Sequence, residues 1–306
     1  MKSKMFWLLV ICVALLLLPV PGCIFYNAWA ENVLEKRMES LERNEDGIIK
    51  SAEPIRIERG RDRVCLLLHG FMSSPSIFGR LPEALDHHGW DVCAPLLPGH
   101  GTNPRELKST TAEDLVQNPA STLAKLKKEY SNVVVIGMSI GGAIAVHLAA
   151  KSDFDGLVLI NPYFASTYCL AYVLPPRWWH TILAPFLKWT VRPKRVCHVN
   201  RPEGKKEVFN YRVLPTKVYA ELFKVSDSAK KKAPRDIPTL IAVSNGDHTA
   251  SPRATRRYFK NLEITTKKLQ AYDHSDHLLL VDNDREKTIQ DIANFLSSLP
   301  CEEKSP

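Results

Sequence analysis

The chain contains no Cys-x-x-Cys pair, no internal repeat, no low-complexity tract and no nucleic-acid-binding motif, and each absence removes a class of function. Without closely paired cysteines, zinc-ribbon and thioredoxin-like readings have no ligand set, and seven cysteines, an odd number, do not describe a disulfide framework. Cys12 and Cys23 fall in the N-terminal segment, and Cys65 and Cys93 sit in apolar runs where a thiol behaves as a small hydrophobe. In an oxidising compartment Cys169 and Cys197 are a conceivable pair, but spacing alone does not fix connectivity. The formal charge of +8 comes from lysines and arginines scattered over several segments, which describes a solvated basic surface and predicts no nucleic-acid partner.

What remains is a chain of 306 residues with 45% apolar content, enough to close the core of one large α/β domain. Its start departs from globular composition: Lys2 and Lys4 precede an uncharged stretch over residues 5–30, centred on residues 6–20. Residues 1–30 are therefore expected to be an export signal or a membrane anchor. Basic residues before the stretch and mixed charge after it favour a cytoplasmic N-terminus and a domain facing outward. Three fates compete. The segment stays as a span of about 20 residues, is cut after Ala28-Trp29-Ala30, or is lipidated at Cys23 within Val20-Pro21-Gly22-Cys23. The expected localisation is membrane-anchored with the domain outside the cytoplasm, or secreted or periplasmic after cleavage. Residues 31–54 read as a charged, weakly helical juxtamembrane segment, 55–299 as the main domain and 300–306 as a tail.

From residue 64 onward, short β-type runs alternate with helical stretches. The runs cover residues 64–68, 90–94, 133–136, 157–160, 239–243 and 267–271. Four are apolar nearly throughout, as strands covered on both faces should be. Helices are expected near residues 77–88, 112–130, 142–151, 253–261 and 284–298. The alternation predicts a mostly parallel, doubly wound α/β sheet with its site at the carboxyl ends of the strands. Residues 161–235 break the rhythm. They show no clear strand and accumulate proline, tryptophan and basic residues, which marks an inserted cap.

Chemistry concentrates where a strand meets a helix. Gly137-Met138-Ser139-Ile140-Gly141 is a G-x-S-x-G element between predicted strand and predicted helix, the context in which that turn exposes a nucleophilic serine. A serine hydroxyl needs an imidazole base, and the imidazole needs a carboxylate to fix its tautomer and steady its protonated form. Asp247 follows the run 239–243 and is the candidate acid, although Asn245-Gly246-Asp247 is also good turn chemistry. His277 and His274 are both candidate bases. His277 is favoured because it leads into the apolar Leu278-Leu279-Leu280-Val281, whereas His274 has polar groups on both sides. Backbone N–H groups of Phe71 and Ile140 are the candidate oxyanion donors, with Gly70 allowing close approach and His69 bracing the loop.

Leu68-His69-Gly70-Phe71, Pro98-Gly99-His100-Gly101, the Ser139 element, Asp247 ahead of Pro252 and His277 ahead of Asp282 together resemble the small bacterial carboxylesterases and monoacylglycerol lipases of the α/β-hydrolase superfamily. The resemblance covers residues 55–299. It implies an α/β-hydrolase fold with a cap over the site, a Ser139–Asp247–His277 triad, no cofactor and no metal. It also implies hydrolysis of carboxylic esters carrying medium acyl chains or of monoglycerides. Isoleucine follows Ser139 where many relatives carry methionine or leucine, and the cap matches none of them.

In the cap, Tyr163, Phe164, Tyr168, Tyr172, Trp178 and Trp179, then Phe186 and Trp189, either pack the cap down or line an acyl groove. Phe71, Met138, Trp178 and Trp179 are the substrate-binding candidates. Arg177, Lys188, Arg192, Lys194 and Arg195 interleave with the aromatics, which suits contact with a lipid surface. Within enzymes the alternatives are a thioesterase or an acyltransferase on the same triad. From another class, the alternative is a catalytically silent, membrane-anchored binding protein. A dehalogenase would carry aspartate in place of Ser139.

Overall fold

The apolar runs become the centre of one sheet. The computed structural model describes residues 19–167, 176–192 and 198–300. Among them β1 (Ile55–Ile57), β2 (Arg63–Leu68), β3 (Asp91–Ala94), β4 (Asn132–Met138), β5 (Gly156–Ile160), β8 (Thr239–Ser244) and β9 (Lys267–Tyr272) form a seven-stranded sheet in the order β1-β3-β2-β4-β5-β8-β9. Every pairing is parallel except the edge strand β1, which runs antiparallel to β3. The strand order reverses around β2 and β3, so the chain winds outward in both directions, as expected of a doubly wound fold.

Helices cover both faces: α2 (Leu81–His87) and α9 (Arg285–Ser297) on one, and α3 (Ala112–Glu129), α4 (Ile140–Ala149), α7 (Val218–Ala229) and α8 (Pro252–Lys260) on the other. All seven residues of β4 are buried, and alternate positions go to opposite cores. Val133 and Val135 pack with α3 and α4, while Val134, Ile136 and Met138 pack with α2 and α9. Each such side chain contributes about 1.5–3 kcal/mol, so this strand is a fixed platform for whatever follows it.

Two expectations need correction. The helix expected over residues 77–88 is divided into a 3-10 turn, Pro75–Phe78, and α2. Gly79 sits between them at φ +52°, where an added Cβ would lie 2.7 Å from the Leu280 carbonyl oxygen. The insert does contain strands, β6 (Trp189–Val191) and β7 (Val213–Pro215), paired antiparallel. Three residues each are too few for a period-two pattern to register. The insert also holds α5 (Pro176–Leu183) and α6 (Gly204–Glu207).

The start of the chain is docked onto the insert. One continuous helix, α1 (Pro19–Glu39), crosses the expected boundary between residues 30 and 31. Ala30 and Leu34 of α1 are buried against Trp189 and Val213 of the insert, so a cut after Ala30 would divide a docked helix. Among the described residues no helix is long and apolar enough to cross a membrane. Most of the apolar run, residues 1–18, lies outside the described residues, as do Tyr168, Cys169, Tyr172, Lys194, Arg195, Cys197 and the tail 301–306.

Candidate active site

The end of β4 forces a sharp turn into α4, and Ser139 occupies it at φ 57°, ψ −120°, a conformation non-glycine residues rarely adopt. The flanking glycines make this possible. A methyl group on Gly141 would collide with the Leu68 carbonyl oxygen, and one on Gly137 would collide with the Gly141 carbonyl. Gly70 passes so close that its Cβ would lie 3.3 Å from that of Ser139. The strained turn is fixed by Ser139 N–H donating to Ile160 O at 3.0 Å and by Tyr163 N–H donating to Ser139 O at 2.9 Å.

Asp247 stands in the loop after β8. Its Oδ1 accepts the N–H groups of Thr249 at 2.7 Å and Ala250 at 2.8 Å, which leaves Oδ2 free to meet His277 Nδ1 at 2.7 Å. Both side chains are buried, at 1% and 7% exposure, so the pair is shielded from water and from salt. Nδ1 thus carries the proton directed at the carboxylate, and Nε2 is the remaining nitrogen of the ring. Ser139 and His277 line one cavity of about 150 Å³, together with Phe71, Ile140, Tyr163 and Tyr219. Burial raises the Tyr163 hydroxyl above its usual pKa and pushes that of Tyr219 to about 12, so both remain neutral hydroxyls. His274 is exposed and does not line this cavity.

Phe71 and Ile140 line the cavity, and their N–H groups find no backbone acceptor among the described residues. His69 braces the loop that carries Phe71. Its Nδ1 donates to Gly70 O at 2.8 Å, and its Nε2 accepts Leu97 N–H at 3.0 Å. Burial, with the neighbouring His100 ring, lowers the His69 pKa to about 3, which keeps the imidazole neutral.

Three substrate-binding candidates lie elsewhere. Met138 is fully buried on the opposite face of the sheet among Ile136, Val158 and Leu279, because neighbouring strand residues point to opposite faces. Trp178 and Trp179 are 62% and 38% exposed on the outer side of α5, since its inner side is taken by Arg177 and His180. Of the other cap aromatics, Tyr163 lines the cavity, Phe164 packs on Tyr258, Trp189 is buried under α1 and Phe186 is exposed. Arg192 lines the cavity, and Arg177 pairs with Asp227 at 2.5 Å. Lys188 lies on the surface beside α1, its backbone N–H held by Asn27.

The family model Hydrolase_4, described as serine aminopeptidase, S33, matches residues 60–284. The chain belongs to this family. Similar sequences include a thermostable monoacylglycerol lipase of Bacillus sp. (strain H-257), 29% identical over 254 residues, covering 82% of this chain and 96% of that protein. A carboxylesterase of Bacillus subtilis (strain 168) is 25% identical over 242 residues, covering 79% and 95%. A structure from work on LipS and LipT, two metagenome-derived lipolytic enzymes, superposes at a TM-score of 0.73 with 26% identity, covering 82% of this chain and 99% of that one. The expected α/β-hydrolase fold is borne out, and the chain is a serine hydrolase of the lipase and esterase type.

Two positions in this hydrolase escaped sequence reasoning. Asp276, next to His277, accepts His277 N–H at 2.8 Å and His248 N–H at 2.9 Å on Oδ1. Its Oδ2 meets the ring nitrogen of His248 at 3.1 Å and that of His198, which lines the cavity, at 3.7 Å. Burial opposes ionisation of Asp276, but the bonds from His198 and His248 outweigh it and hold the carboxyl well below its usual range. One carboxylate therefore ties the acid loop, the base loop and the stretch of the cap between β6 and α6 together. Asn161, fully buried at the end of β5 with φ 42°, is the second, its Oδ1 accepting Ser244 N–H at 2.7 Å. An aspartate beside a histidine and an asparagine before a proline are ordinary in any sequence, so no local signal marks either residue.

Proposed function

We propose that the chain hydrolyses carboxylic esters of acyl substrates, in the manner of a carboxylesterase or monoacylglycerol lipase, through Ser139, His277 and Asp247. The observation that carries this reading is the buried Asp247–His277 pair at a cavity shared with the strained Ser139. Ser139 Oγ attacks the ester carbonyl while His277 Nε2 takes its proton, and the N–H groups of Phe71 and Ile140 receive the charge that develops on the carbonyl oxygen. The imidazolium, steadied by Asp247, returns the proton to the leaving alcohol. Water then repeats the sequence on the acyl-enzyme and releases the carboxylic acid.

Ester rather than peptide substrates are favoured by the lining of the cavity. An aminopeptidase needs a carboxylate to hold the substrate ammonium, and among the described residues no Asp or Glu lines this cavity, whereas Arg192 does. Ile77, Leu222, Phe223 and Leu278 supply an apolar wall suited to an acyl chain. No metal or cofactor enters the proposed cycle. The basic-then-apolar start of the chain supports attachment at a membrane with the catalytic domain outside the cytoplasm. Docking of Ala30 inside α1 weighs against cleavage after that residue.

The test is a series of nitrophenyl and monoglyceride esters of increasing acyl length, with Ser139→Ala as control and a fluorophosphonate as active-site label. Turnover that survives in Ser139→Ala, or failure of wild-type protein to take the label, would sink the proposal.

A further inference from the structure

The described residues leave large apolar side chains exposed in only two stretches. Ile24, Phe25 and Trp29 stand out from α1, with Phe25 at 75% exposure. Trp178, Trp179, Ile182 and Leu183 stand out from α5, and Phe186 follows just after it. The two stretches are joined. Asn27 of α1 donates from Nδ2 to Phe186 O at 2.9 Å and accepts Lys188 N–H on Oδ1 at 2.8 Å. Val191 N–H donates to the Tyr26 hydroxyl at 3.2 Å, and Glu31 accepts from the Trp189 indole N–H. Helix α1 thus extends the cap, although it precedes the residues matched by the family.

We infer that α1 and α5 form one composite face that rests on a lipid bilayer. Three observations favour lipid over a protein partner. The chain entering α1 is the uncharged run of residues 5–30, preceded by Lys2 and Lys4, so the exposed face continues an apolar segment already suited to lipid. Three of the exposed residues are tryptophan, whose amphipathic ring favours the headgroup boundary. No acidic residue occurs in α5 or in α1 before Glu31, and Lys188 lies at the junction, so anionic headgroups meet no repulsion there.

The face has a short route to the chemistry. On the inner side of α5, the Arg177 guanidinium sits 4.7 Å above the Phe223 ring, and the His180 ring lies 5.6 Å from Phe223 and 6.2 Å from Tyr219. Phe223 and Tyr219 both line the cavity. One helix diameter, about 10 Å, therefore separates bilayer from cavity, and an acyl ester dissolved in the membrane reaches Ser139 without crossing bulk water. This delivery role rests on the ester-hydrolase reading, whereas the lipid contact does not.

The experiment uses the full chain carrying Trp7→Phe, which removes the tryptophan of the N-terminal run. It is bound to phosphatidylcholine–phosphatidylglycerol vesicles whose lipids are brominated near the top of the acyl chain. Quenching of tryptophan fluorescence is expected, in Ser139→Ala as well, and it should be lost when Trp29, Trp178 and Trp179 are all replaced by phenylalanine. No quenching before those three replacements would overturn the proposal, and that is the outcome if a second copy or residues 1–18 cover the face. A second measurement compares Ile182→Ser with wild type on vesicle-borne monoglyceride and on a soluble short-chain ester. The former rate should fall about tenfold with the latter within about twofold. Equal rates for variant and wild type on vesicles, or an equal loss on both substrates, would overturn it.

Discussion

Asn161 donates its side-chain amide to the carbonyl oxygen of His277 at 2.8 Å. With its Oδ1 on Ser244 N–H, one buried residue beside the Ser139 turn sets the height of both the acid-bearing and the base-bearing loops. Replacement by alanine strands two polar groups and puts alanine at a positive φ that asparagine tolerates better. Asn161→Ala is expected to lose about 2–4 kcal/mol of stability in urea unfolding. Its kcat should fall more than its KM rises, and a variant with wild-type stability and kcat would remove Asn161 from this role.

Asp276 should separate geometry from charge. Asp276→Asn keeps an oxygen for the His248 and His277 N–H groups but loses the anion facing His198 and His248, so a modest drop in kcat with unchanged folding is expected. Asp276→Ala strands both N–H groups, with an expected cost of about 2–4 kcal/mol. If the two variants are alike in stability and in the pH profile of kcat, the carboxylate does not act by joining these loops.

Asp247→Asn should keep the fold, since the amide oxygen can still accept from Thr249 and Ala250. It presents the wrong partner to His277 Nδ1, and kcat is expected to fall about 10³–10⁴-fold with little change in KM. Steady-state kinetics on one soluble ester decides this, and a loss under tenfold would point to a different acid.

Acid should destabilise the protein from within. His69 and His100 are buried and neutral, and burial lowers their pKa values to about 3 and about 4 from the usual 6.5. Between the unfolded and folded values the unfolded chain binds protons that the native state refuses, so this stability is complete above pH 6.5 and is lost as pH falls toward 4. At pH 5 each ring costs about 2 kcal/mol relative to pH 7. Asp276, held low, adds its own loss only below the ordinary carboxylate range. Urea unfolding at pH 7 and 5 measures the sum, to which buried His147, also lowered by burial, adds, and His100→Asn should remove about 2 kcal/mol of the difference.

The sheet was legible because strands covered on both faces leave continuous apolar runs, and the Ser139 turn was legible because steric demands at Gly137 and Gly141 admit little else. The site was less so. Met138 adjoins Ser139 in sequence but faces the other core, and the alternation along β4 that separates them is hidden when both faces are apolar. Trp178 and Trp179 could not be placed inside or outside the cap until α5 had a direction. Asn161 acts through partners more than 80 residues away, and Asp276 through His248, 28 residues away, and His198, which no local pattern records.

β5 and β8 are hydrogen-bonded neighbours, with Leu157 opposite Thr239 and Ile160 opposite Ala242, although the whole insert lies between them in the chain. The inserted chain therefore leaves and re-enters the scaffold at a seam that is already closed without it. Lengthening, shortening or exchanging the outer part of that module, away from Asn161, Tyr163, His198 and α7, leaves the sheet pairing untouched, so selection can retune which molecules are admitted while the reacting groups stay where they are.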